Sequence, residues 1–306
     1  MENKMKISII GLGGISNKAY LPLLTTDSSL DLQLFSRSQS SIQKAQSIWK
    51  IKKTAEDLSE VIQWKPEAAF VLTNSSAHYD IVKELLENNI DVFVEKPATL
   101  HVEQTIELSE LSKRNNKICM VGFNRRFTPI HQRGKEYWGS RKIELAEFTK
   151  LRTKPFHDDI RSHIYDDTIH LLDTMRYFCG EVTLAHKELR KDEHLVTCTA
   201  MFALEQGGIA IIKNCMRSGE WRENYILSGD GITMEMEAFS RLSIFQGDEQ
   251  RSWKENYPAG SEILVGRGFS GDINHFLNCI RTRENPLTDL ADSVKTQKLV
   301  EALTDG

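Results

Sequence analysis

A strand that runs into a glycine-rich turn and then a helix opens the chain, and this feature constrains the fold more than any other. Lys6 to Ile10 form a strand rich in β-branched residues, and Gly11-Leu12-Gly13-Gly14-Ile15-Ser16 follows it. Gly11 permits a tight turn, and Gly13 allows the backbone to approach a ligand closely. The N-terminus of the next helix attracts negative charge. The pattern predicts a pyrophosphate site, although Ser16 stands where glycine or alanine is usual.

Strands and helices continue to alternate after this turn. The predicted helices are 55–63, 77–88 and 102–114, and the predicted strands are 32–35, 68–72, 92–94 and 118–121. Repeated βα units of this length predict an α/β domain with a doubly wound parallel sheet over residues 1–123.

Ligands of such a sheet bind beyond the carboxyl ends of its strands. Thr73 and Asn74 end one strand, and His78 lies in the first turn of the helix that follows. His78 is therefore predicted to reach a ligand, and a surface histidine is an equally good interpretation. Lys96 follows the next strand, and Pro97 pushes it toward an extended geometry that can present its amine to both a cofactor and a substrate hydroxyl.

The end of the second strand carries no carboxylate, which is the group that usually binds the ribose of NAD at this point. Ser36, Arg37 and Ser38 stand there instead. A guanidinium with two hydroxyls suits a 2′-phosphate. The alternative is a serine N-cap beside a solvated Arg37, and both interpretations can hold together. The sequence predicts NADP(H) as the preferred cofactor, with NAD(H) possible.

The hydrophobic period changes in the second half of the chain. Strands are predicted over 142–152, 195–204, 208–216, 225–228 and 242–245. Strands without intervening helices indicate an antiparallel sheet, so residues 124–306 are predicted to form an α+β domain. One sheet face is only moderately polar and predicts a homo-oligomer contact. Helices within 270–306 are compatible with packing back on the first domain.

One predicted helix of the second half carries a carboxylate and an imidazole four residues apart. Asp166, His170 and Asp173 fall at i, i+4 and i+7. A carboxylate one turn from an imidazole can orient it for general-base chemistry. A surface Asp–His pair is the simpler interpretation of the spacing. The same residue types can bind a metal, but a third well-spaced ligand is lacking, and no metal site is predicted.

Composition excludes several classes of protein. The chain has 306 residues and a net charge of −4, which argues against nucleic acid as a partner. The start of the chain has no apolar signal region and no apolar run approaches membrane-spanning length, so we expect a cytoplasmic protein without a membrane partner. The five cysteines form no C-x-x-C pair and are expected to be reduced thiols.

Taken in order, these motifs resemble the Gfo/Idh/MocA family of oxidoreductases, and in particular its MviM-type bacterial branch. The resemblance rests on the glycine turn, Thr73 with His78, Glu95-Lys96-Pro97, Gly122 to Phe127, the Asp166–His170–Asp173 helix, and Arg267 to Gly271 with His275 and Phe276. It implies a Rossmann domain followed by an α+β domain with an open antiparallel sheet. The implied activity is hydride transfer between a nicotinamide cofactor and a small-molecule substrate of the sugar, polyol or sugar-acid type.

The resemblance also implies roles for single residues. Lys96 and His170 would be catalytic, with Asp166 as a polar partner of His170. The complete predicted cofactor set is Gly11, Gly13, Gly14, Ile15, Ser36, Arg37, Ser38, Thr73, Asn74, His78, Glu95 and Lys96. The predicted substrate set is Asn124, Arg125, Arg161 and Asp173. Together with His157, His163 and Arg126, the arginines Arg125 and Arg161 make a basic cleft that favours an anionic substrate.

This chain departs from the family pattern at Thr168, where glycine is frequent, and in the segment before it, so substrate specificity does not carry over. Two other functions remain open at this stage. One is a cofactor-binding sensor or scaffold without turnover. The other is redox-assisted glycoside cleavage.

Overall fold

Strands and helices make up most of the computed structural model, which describes residues 4–155, 157, 159–255, 257 and 262–305. The strands are β1 (Met5–Ile10), β2 (Leu30–Phe35), β3 (Lys53–Ala55), β4 (Ala68–Val71), β5 (Asp91–Glu95), β6 (Cys119–Gly122), β7 (Leu145–Leu151), β8 (Val182–Lys191), β9 (Leu195–Leu204), β10 (Ile209–Cys215), β11 (Arg222–Gly229), β12 (Ile232–Glu237), β13 (Arg241–Gln246) and β14 (Glu249–Lys254). The helices are α1 (Leu21–Leu24), α2 (Gln39–Trp49), α3 (Leu58–Gln63), α4 (His78–Glu87), α5 (Val102–Arg114), α6 (Pro129–Trp138), α7 (Ile160–His163), α8 (Ile169–Cys179), α9 (Glu262–Gly266), α10 (Phe269–Thr282) and α11 (Leu290–Thr304). Short π-helical segments cover Ser16–Tyr20 and Ile164–Thr168.

The chain divides into two compact units. The first contains Met1–Phe123 and Asp272–Lys295, and the second contains Asn124–Gly271 and Thr296–Gly306.

The first unit is built on a parallel sheet with the strand order β3-β2-β1-β4-β5-β6. Strands β4, β5 and β6 are buried along their whole length, as expected of a parallel sheet covered on both faces. The strand order reverses between β1 and β4, so the topological switch point lies beyond the carboxyl ends of these two strands. The doubly wound Rossmann sheet predicted from the sequence is confirmed.

The segment 272–295 completes the core of the first unit. The ring of Phe276 packs edge-on against Phe70 and Phe93, with centroid distances of 5.3 and 5.5 Å. The hydroxyl of Thr288 donates to the carbonyl of Val121 at 2.7 Å. The first part of the C-terminal helical region therefore belongs to the first unit, a question that periodicity alone left open.

The second unit is built on an open sheet with the order β14-β13-β12-β11-β7-β10-β9-β8. Strands β7 and β10 pair in parallel, and every other pair in this sheet is antiparallel. This confirms the predicted open, mainly antiparallel sheet. One face carries buried side chains such as Phe148, Phe202 and Tyr225, against which α6 and α8 pack.

The opposite face of this sheet carries exposed apolar side chains. Ile209 pairs with Leu145 on one side and with Ala203 on the other, and Met201 lies in the next row. Leu145, Met201 and Ile209 are 40, 38 and 43% exposed. We call these four residues the outer sheet patch.

The predicted and observed elements differ mainly where strands are short or polar. Strands β3, β8, β12 and β14 and helix α6 were not predicted from the sequence. β8 and β14 are the two edge strands of the second sheet and are largely exposed, so they lack a clear apolar alternation. In contrast, β9 and α5 have the predicted bounds. In the described part of the chain, no helix combines the length and apolar character needed to cross a bilayer.

Candidate active site

A cavity of about 490 Å³ opens at the switch point of the first unit. Its wall is formed by the glycine turn and by the segments that follow β2 and β4. Of the predicted cofactor residues, it includes Gly11, Gly13, Ser36, Arg37, Ser38, Thr73 and Asn74. The other predicted cofactor residues, Gly14, Ile15, His78, Glu95 and Lys96, lie outside this lining.

The glycine turn is closely packed on one side and open on the other. Gly11 has a φ of +94°, and a Cβ at this position would lie 2.7 Å from the backbone of Leu72 and 2.8 Å from the side chain of Thr73. A Cβ at Gly13 or Gly14 would meet nothing within 4 Å. The open side, together with the free N–H groups of a helix start, fits a pyrophosphate.

Asn17 holds the glycine turn from within, and the sequence motifs did not point to it. Its Nδ2 donates to the carbonyls of Leu12 and Gly13, each at 2.9 Å. Its Oδ1 accepts a hydrogen bond from the indole of Trp49 at 3.1 Å. This cross-link between the turn and α2 depends on a partner 32 residues away, so no local pattern signals it.

The segment after β2 contains the serine N-cap that the sequence offered as one interpretation, and the 2′-phosphate site stays a prediction. Ser38 caps α2, because its hydroxyl accepts a hydrogen bond from the N–H of Ser41 at 3.3 Å. Arg37 is exposed at the cavity wall, and no carboxylate of the described residues lies within ion-pair distance of it. Within the described part of the chain, this cation therefore has no ion-pair partner that would compete with a ligand. Asp80, in the first turn of α4, supplies a carboxylate elsewhere in the lining.

Glu95 anchors the loop that carries Lys96. Its buried carboxylate accepts hydrogen bonds from the hydroxyl of Tyr20 at 2.5 Å and from the backbone N–H of Lys96 at 3.0 Å. Burial, with the nearby carboxylates of Glu95 and Asp272, raises the pKa of Tyr20 well above its usual value, so the hydroxyl remains a donor. The Lys96–Pro97 peptide bond is cis.

His78 is a buried connector at the same end of the sheet, with 1% of its surface exposed. Its Nδ1 lies 2.9 Å from the carbonyl of Pro97 and its Nε2 lies 3.1 Å from the carbonyl of Thr73. Burial lowers the pKa of this imidazole from its ordinary value. The ring therefore ties the loop after β5 to the end of β4, and its contact with a cofactor stays a prediction.

In the second unit, the imidazole of His170 faces a guanidinium. His170 is 7% exposed on α8, and its Nε2 lies 3.3 Å from Nη1 of Arg125. A guanidinium can only donate, so in this arrangement Nε2 accepts and carries no proton. Arg125 is itself oriented by Glu223, which accepts from its Nε at 2.8 Å and from its Nη2 at 3.1 Å. The geometry presents His170 as a proton acceptor.

A buried charge network lies behind this pair. Lys150 contacts Asp167 at 2.8 Å and Glu223 at 3.9 Å, and Tyr225 donates to Glu223 at 2.5 Å. Burial opposes the ionisation of Glu223, but Arg125 and Lys150 hold the pKa of this carboxyl well below its usual range. The same balance of burial against Lys150 and Arg152 lowers the pKa of Asp167.

The sequence reasoning missed this network, although a signal was present. Lys150 occupies the inward phase of β7, after Ala146 and Phe148, and Glu223 occupies the inward phase of β11, before Tyr225. A charged residue in the apolar phase of an alternating strand indicates a buried ion pair or a site.

The three polar residues predicted to share one helix face have different partners. Asp166 is exposed and lies 3.0 Å from His157, because a π-helical segment precedes α8 and carries Asp166. Asp173 is buried, and its carboxylate binds Arg126 bidentately, with the shortest contact at 2.6 Å. A contact of Asp173 with substrate stays a prediction that this structural ion pair does not favour. The pairing of Asp166 with His170 also stays a prediction.

The remaining predicted substrate residues are held by protein groups. Asn124 is buried, and its Nδ2 donates to the carbonyl of Arg267 at 2.8 Å. Arg161 lies over the ring of Tyr165 at 4.9 Å, and its Nη2 is 4.0 Å from Glu301. Their contact with substrate remains a prediction.

Comparison with known proteins connects this geometry to dehydrogenases. Residues 5–123 match the Gfo/Idh/MocA family model, described as an oxidoreductase family with an NAD-binding Rossmann fold. The chain is 29% identical to the putative oxidoreductase YceM of Salmonella typhimurium, over 98% of this chain and 97% of that protein. It is 31% identical to the scyllo-inositol 2-dehydrogenase (NAD(+)) of Bacillus subtilis, over 60% of this chain and 56% of that protein. The crystal structure of a dehydrogenase (MviM) from Clostridium difficile superposes with a TM-score of 0.91 at 27% identity, covering 98% of this chain and 99% of the other.

Proposed function

We propose, from the match of residues 5–123 to the Gfo/Idh/MocA family model and from the likeness to YceM and to the MviM dehydrogenase, that the chain belongs to this family and transfers a hydride between a nicotinamide cofactor and a sugar, polyol or sugar-acid substrate. The observation that carries this proposal is the cavity over the glycine turn, with its open side at Gly13 and Gly14. It lies within the segment that matches the family model, and its chemistry suits a dinucleotide.

For the cofactor, the proposal is NADP(H) in preference to NAD(H). Arg37 supports it, since this cation is exposed at the cavity wall beside the hydroxyls of Ser36, Ser38 and Ser41. A 2′-phosphate would be bound by these groups, while a ribose 2′-hydroxyl would gain little from a guanidinium.

For the chemistry, the nicotinamide supplies the hydride acceptor or donor when it is bound. His170 takes the proton of the substrate hydroxyl on Nε2 during oxidation and returns it during reduction. Lys96 binds the same hydroxyl and the nicotinamide ribose, Glu95 orients the loop of Lys96, and Asp166 is a polar partner of His170. In this role Nε2 of His170 exchanges the hydrogen bond that it accepts from Arg125 at 3.3 Å for the proton of the substrate hydroxyl.

For the location and assembly, the proposal is a cytoplasmic homo-oligomer. All five cysteines are free thiols, which suits a reducing compartment. The outer sheet patch offers an apolar surface to a second copy of the chain, because three of its side chains are more than a third exposed.

Turnover with purified protein tests the proposed reaction. A panel of polyols, sugars and sugar acids is screened with NADP⁺ and NAD⁺ for the absorbance of the reduced nicotinamide. We expect Lys96→Ala and His170→Ala each to lower kcat about 10²- to 10⁴-fold on the best substrate, the range of a lost general acid–base group. The matched controls are Lys113→Ala and His186→Ala, which replace exposed residues of the same types.

The outcomes separate the alternatives. Tight cofactor binding without any turnover would point to a sensor or scaffold. Release of a chromogenic leaving group without net cofactor consumption would point to redox-assisted glycoside cleavage. Full turnover in both alanine variants would refute the assigned roles.

A further inference from the structure

A second cavity, of about 480 Å³, lies in the second unit between the segment before β11 and the turn that joins β12 to β13. Its lining comprises Trp221, Arg222, Glu223, Asn224, Glu237, Ala238, Phe239 and Ser240. Glu223 connects it to the proposed base, because the same carboxylate holds Arg125, whose guanidinium faces His170.

Aromatic rings form one wall of this cavity. The rings of Trp221 and Phe239 are stacked, with centroids 6.1 Å apart and planes inclined by 20°. Trp221 remains 41% exposed although Phe239 stacks against it, an unusual exposure for a large aromatic residue. A rigid, exposed indole is a suitable surface for the apolar face of a small ligand.

Two guanidiniums lie against these rings and differ in their partners. The Cζ of Arg125 is 5.7 Å from the centroid of Phe239, and Arg125 is neutralised by Glu223. The Cζ of Arg267 is 5.5 Å from the centroids of both Trp221 and Phe239. No carboxylate of the described residues lies within ion-pair distance of Arg267.

The backbone holds Arg267 in place. Gly268 has a φ of +83°, and a Cβ there would lie 2.0 Å from the carbonyl oxygen of Asn124. The carbonyl of Arg267 accepts a hydrogen bond from the side chain of Asn124. The segment that carries Arg267 therefore packs directly on the segment that carries Arg125, and the fold fixes the backbone position of Arg267.

The charged residues of the cavity lining have partners of their own, since Arg222 contacts Glu220 and Glu237 lies 3.6 Å from Arg241, and the network beside Arg267 carries more basic than acidic groups. Among the ionisable groups that influence Arg267 and Lys150 electrostatically, Arg125, Lys150, Arg152 and Arg267 are basic, while Asp167 and Glu223 are acidic. The two carboxylates are engaged by Arg125, Lys150 and Arg152. An anion beside Arg267 would balance the excess charge in a partly desolvated place, where ion pairing is stronger than in water.

We propose that the surface beside this cavity, where Arg267 lies over Trp221 and Phe239, binds an anionic group of the substrate, a carboxylate or a phosphate carried on a sugar or polyol, with Arg267 as its counter-ion and Trp221 as the surface for the sugar carbons. The assignment rests on the proposed function, since it places the far end of the same substrate. It differs from the predicted basic cleft, because His157, Arg126 and Arg161 each contact a protein carboxylate, whereas Arg267 contacts none among the side chains that the structure describes.

Binding of three probes with one carbon skeleton tests the proposal. Calorimetric titration of the full chain, saturated with NADP⁺, compares D-gluconate, D-glucitol 6-phosphate and uncharged D-glucitol. We expect at least one of the two anions to bind about tenfold or more tightly than D-glucitol, the effect of one charge-assisted contact. The affinities of D-gluconate and D-glucitol 6-phosphate show whether the site prefers a carboxylate or a phosphate.

Substitutions test which residues cause the preference for anionic probes. Arg267→Gln is expected to remove the anion preference and leave D-glucitol binding unchanged, and Arg267→Lys to restore part of it. The control is Arg251→Gln, an exposed arginine of β14 in the same sheet. Trp221→Leu is expected to weaken all three probes alike. The melting temperature of each variant shows that it is folded.

Several results would overturn the proposal: no anion preference in the wild-type protein, no binding of any probe, or a preference that survives Arg267→Gln. Its failure is distinct from failure of the proposed function. An Arg267-dependent anion preference without any nicotinamide absorbance change would retain the binding site and reject the hydride transfer. Turnover of neutral polyols that is unaffected by Arg267→Gln, without any anion preference, would retain the hydride transfer and reject the anion site.

Discussion

At the level of single residues, two glycines of the same turn have opposite surroundings. Gly11 combines a left-handed φ with a backbone contact that a Cβ would bring to 2.7 Å, while Gly14 has open space on its Cβ side. The first glycine is required by packing inside the protein, and the open space at Gly13 and Gly14 is where we propose that the cofactor binds. In this proposal the motif combines a stability function with a binding function.

Alanine substitutions separate these two functions. Gly11→Ala is expected to lower the free energy of unfolding by about 2 kcal/mol or more, because strain in the left-handed region adds to the clash with Leu72. Gly13→Ala is expected to keep the stability within about 1 kcal/mol and to weaken cofactor binding, since the methyl group would occupy the approach of the pyrophosphate. Denaturant unfolding without cofactor and fluorescence titration of NADPH measure the two effects. Equal stability of both variants would contradict this reading of the turn.

The proposed role of Arg37 in cofactor preference is tested by a single substitution. Arg37→Gln is expected to weaken NADPH binding about tenfold or more and to leave NADH binding nearly unchanged, because only NADPH has a phosphate for the guanidinium. Fluorescence titration of both cofactors measures this, with Lys44→Gln on α2 as an exposed cationic control. A similar loss for both cofactors would show that Arg37 does not recognise the 2′-phosphate.

At the level of elements, strands β7 and β11 place charged side chains where alternation otherwise buries apolar ones. Lys150 and Glu223 are 0 and 2% exposed, and they meet Arg125 and Asp167 in one network behind His170. Buried ion pairs are expensive to break, because the remaining charge stays in a poorly solvated place. The network therefore makes the orientation of Arg125, and through it that of His170, depend on two strands of the sheet.

The stability of the protein should fall in two successive pH ranges as the pH is lowered. Burial lowers the pKa of His131 to about 4, so the unfolded state binds more protons than the native state from about pH 6.5 downward, and stability falls as the pH falls. The pKa values of Glu223 and Asp167 are also lower in the native state, so their contribution is present above about pH 4 and is lost below it.

Glu223→Gln removes one of the two carboxyl groups that cause the loss of stability below about pH 4. We expect this variant to lose about 3 to 5 kcal/mol at pH 7, because Arg125 is left buried without its partner, and to show a shallower loss below about pH 4. The loss from about pH 6.5 downward should remain, because the burial that chiefly lowers the pKa of His131 is unchanged. Thermal unfolding from pH 7 to 3 measures both, with exposed Glu249→Gln as the control. An unchanged acid slope would contradict the assignment.

At the level of the whole molecule, each unit has its own sheet, and the second sheet exposes an apolar surface. The outer sheet patch lies on β7, β9 and β10, strands in the middle and at one side of an open sheet. Contiguous exposed apolar area of this kind marks contact surfaces. A face that pairs with an identical face in a second copy would form a closed two-fold interface.

Charged substitutions on this surface test the assembly. The double variant Met201→Lys and Ile209→Lys is expected to lower the molar mass measured by light scattering after gel filtration to half or less of the wild-type value, because buried unpaired amines oppose association. Ile48→Lys, at an apolar residue of α2 that is 51% exposed, is the matched control. A monomeric wild-type protein, or a variant of unchanged mass, would refute the proposed interface.

Much of the fold follows from local pattern. The parallel sheet of the first unit follows from β-branched runs alternating with amphipathic helices, and the bounds of β9 and α5 agree with their periodicity. The edge strands β8 and β14 could not be predicted, because exposed strands have little apolar alternation. For the candidate site, the glycine turn, Arg37, Lys96 and His170 come from motifs whose geometry is set within a few residues.

The sequence by itself determined the type of each sheet, the nucleotide-binding turn and the family motifs, because these depend on hydrophobic period and on residues close together in the chain. Only the tertiary structure decided that Glu223 holds Arg125 across 98 residues, that Arg267 lies over Trp221 and Phe239, and that segment 272–295 completes the first unit. These contacts join residues far apart in sequence, and their strength depends on burial, which no local pattern specifies.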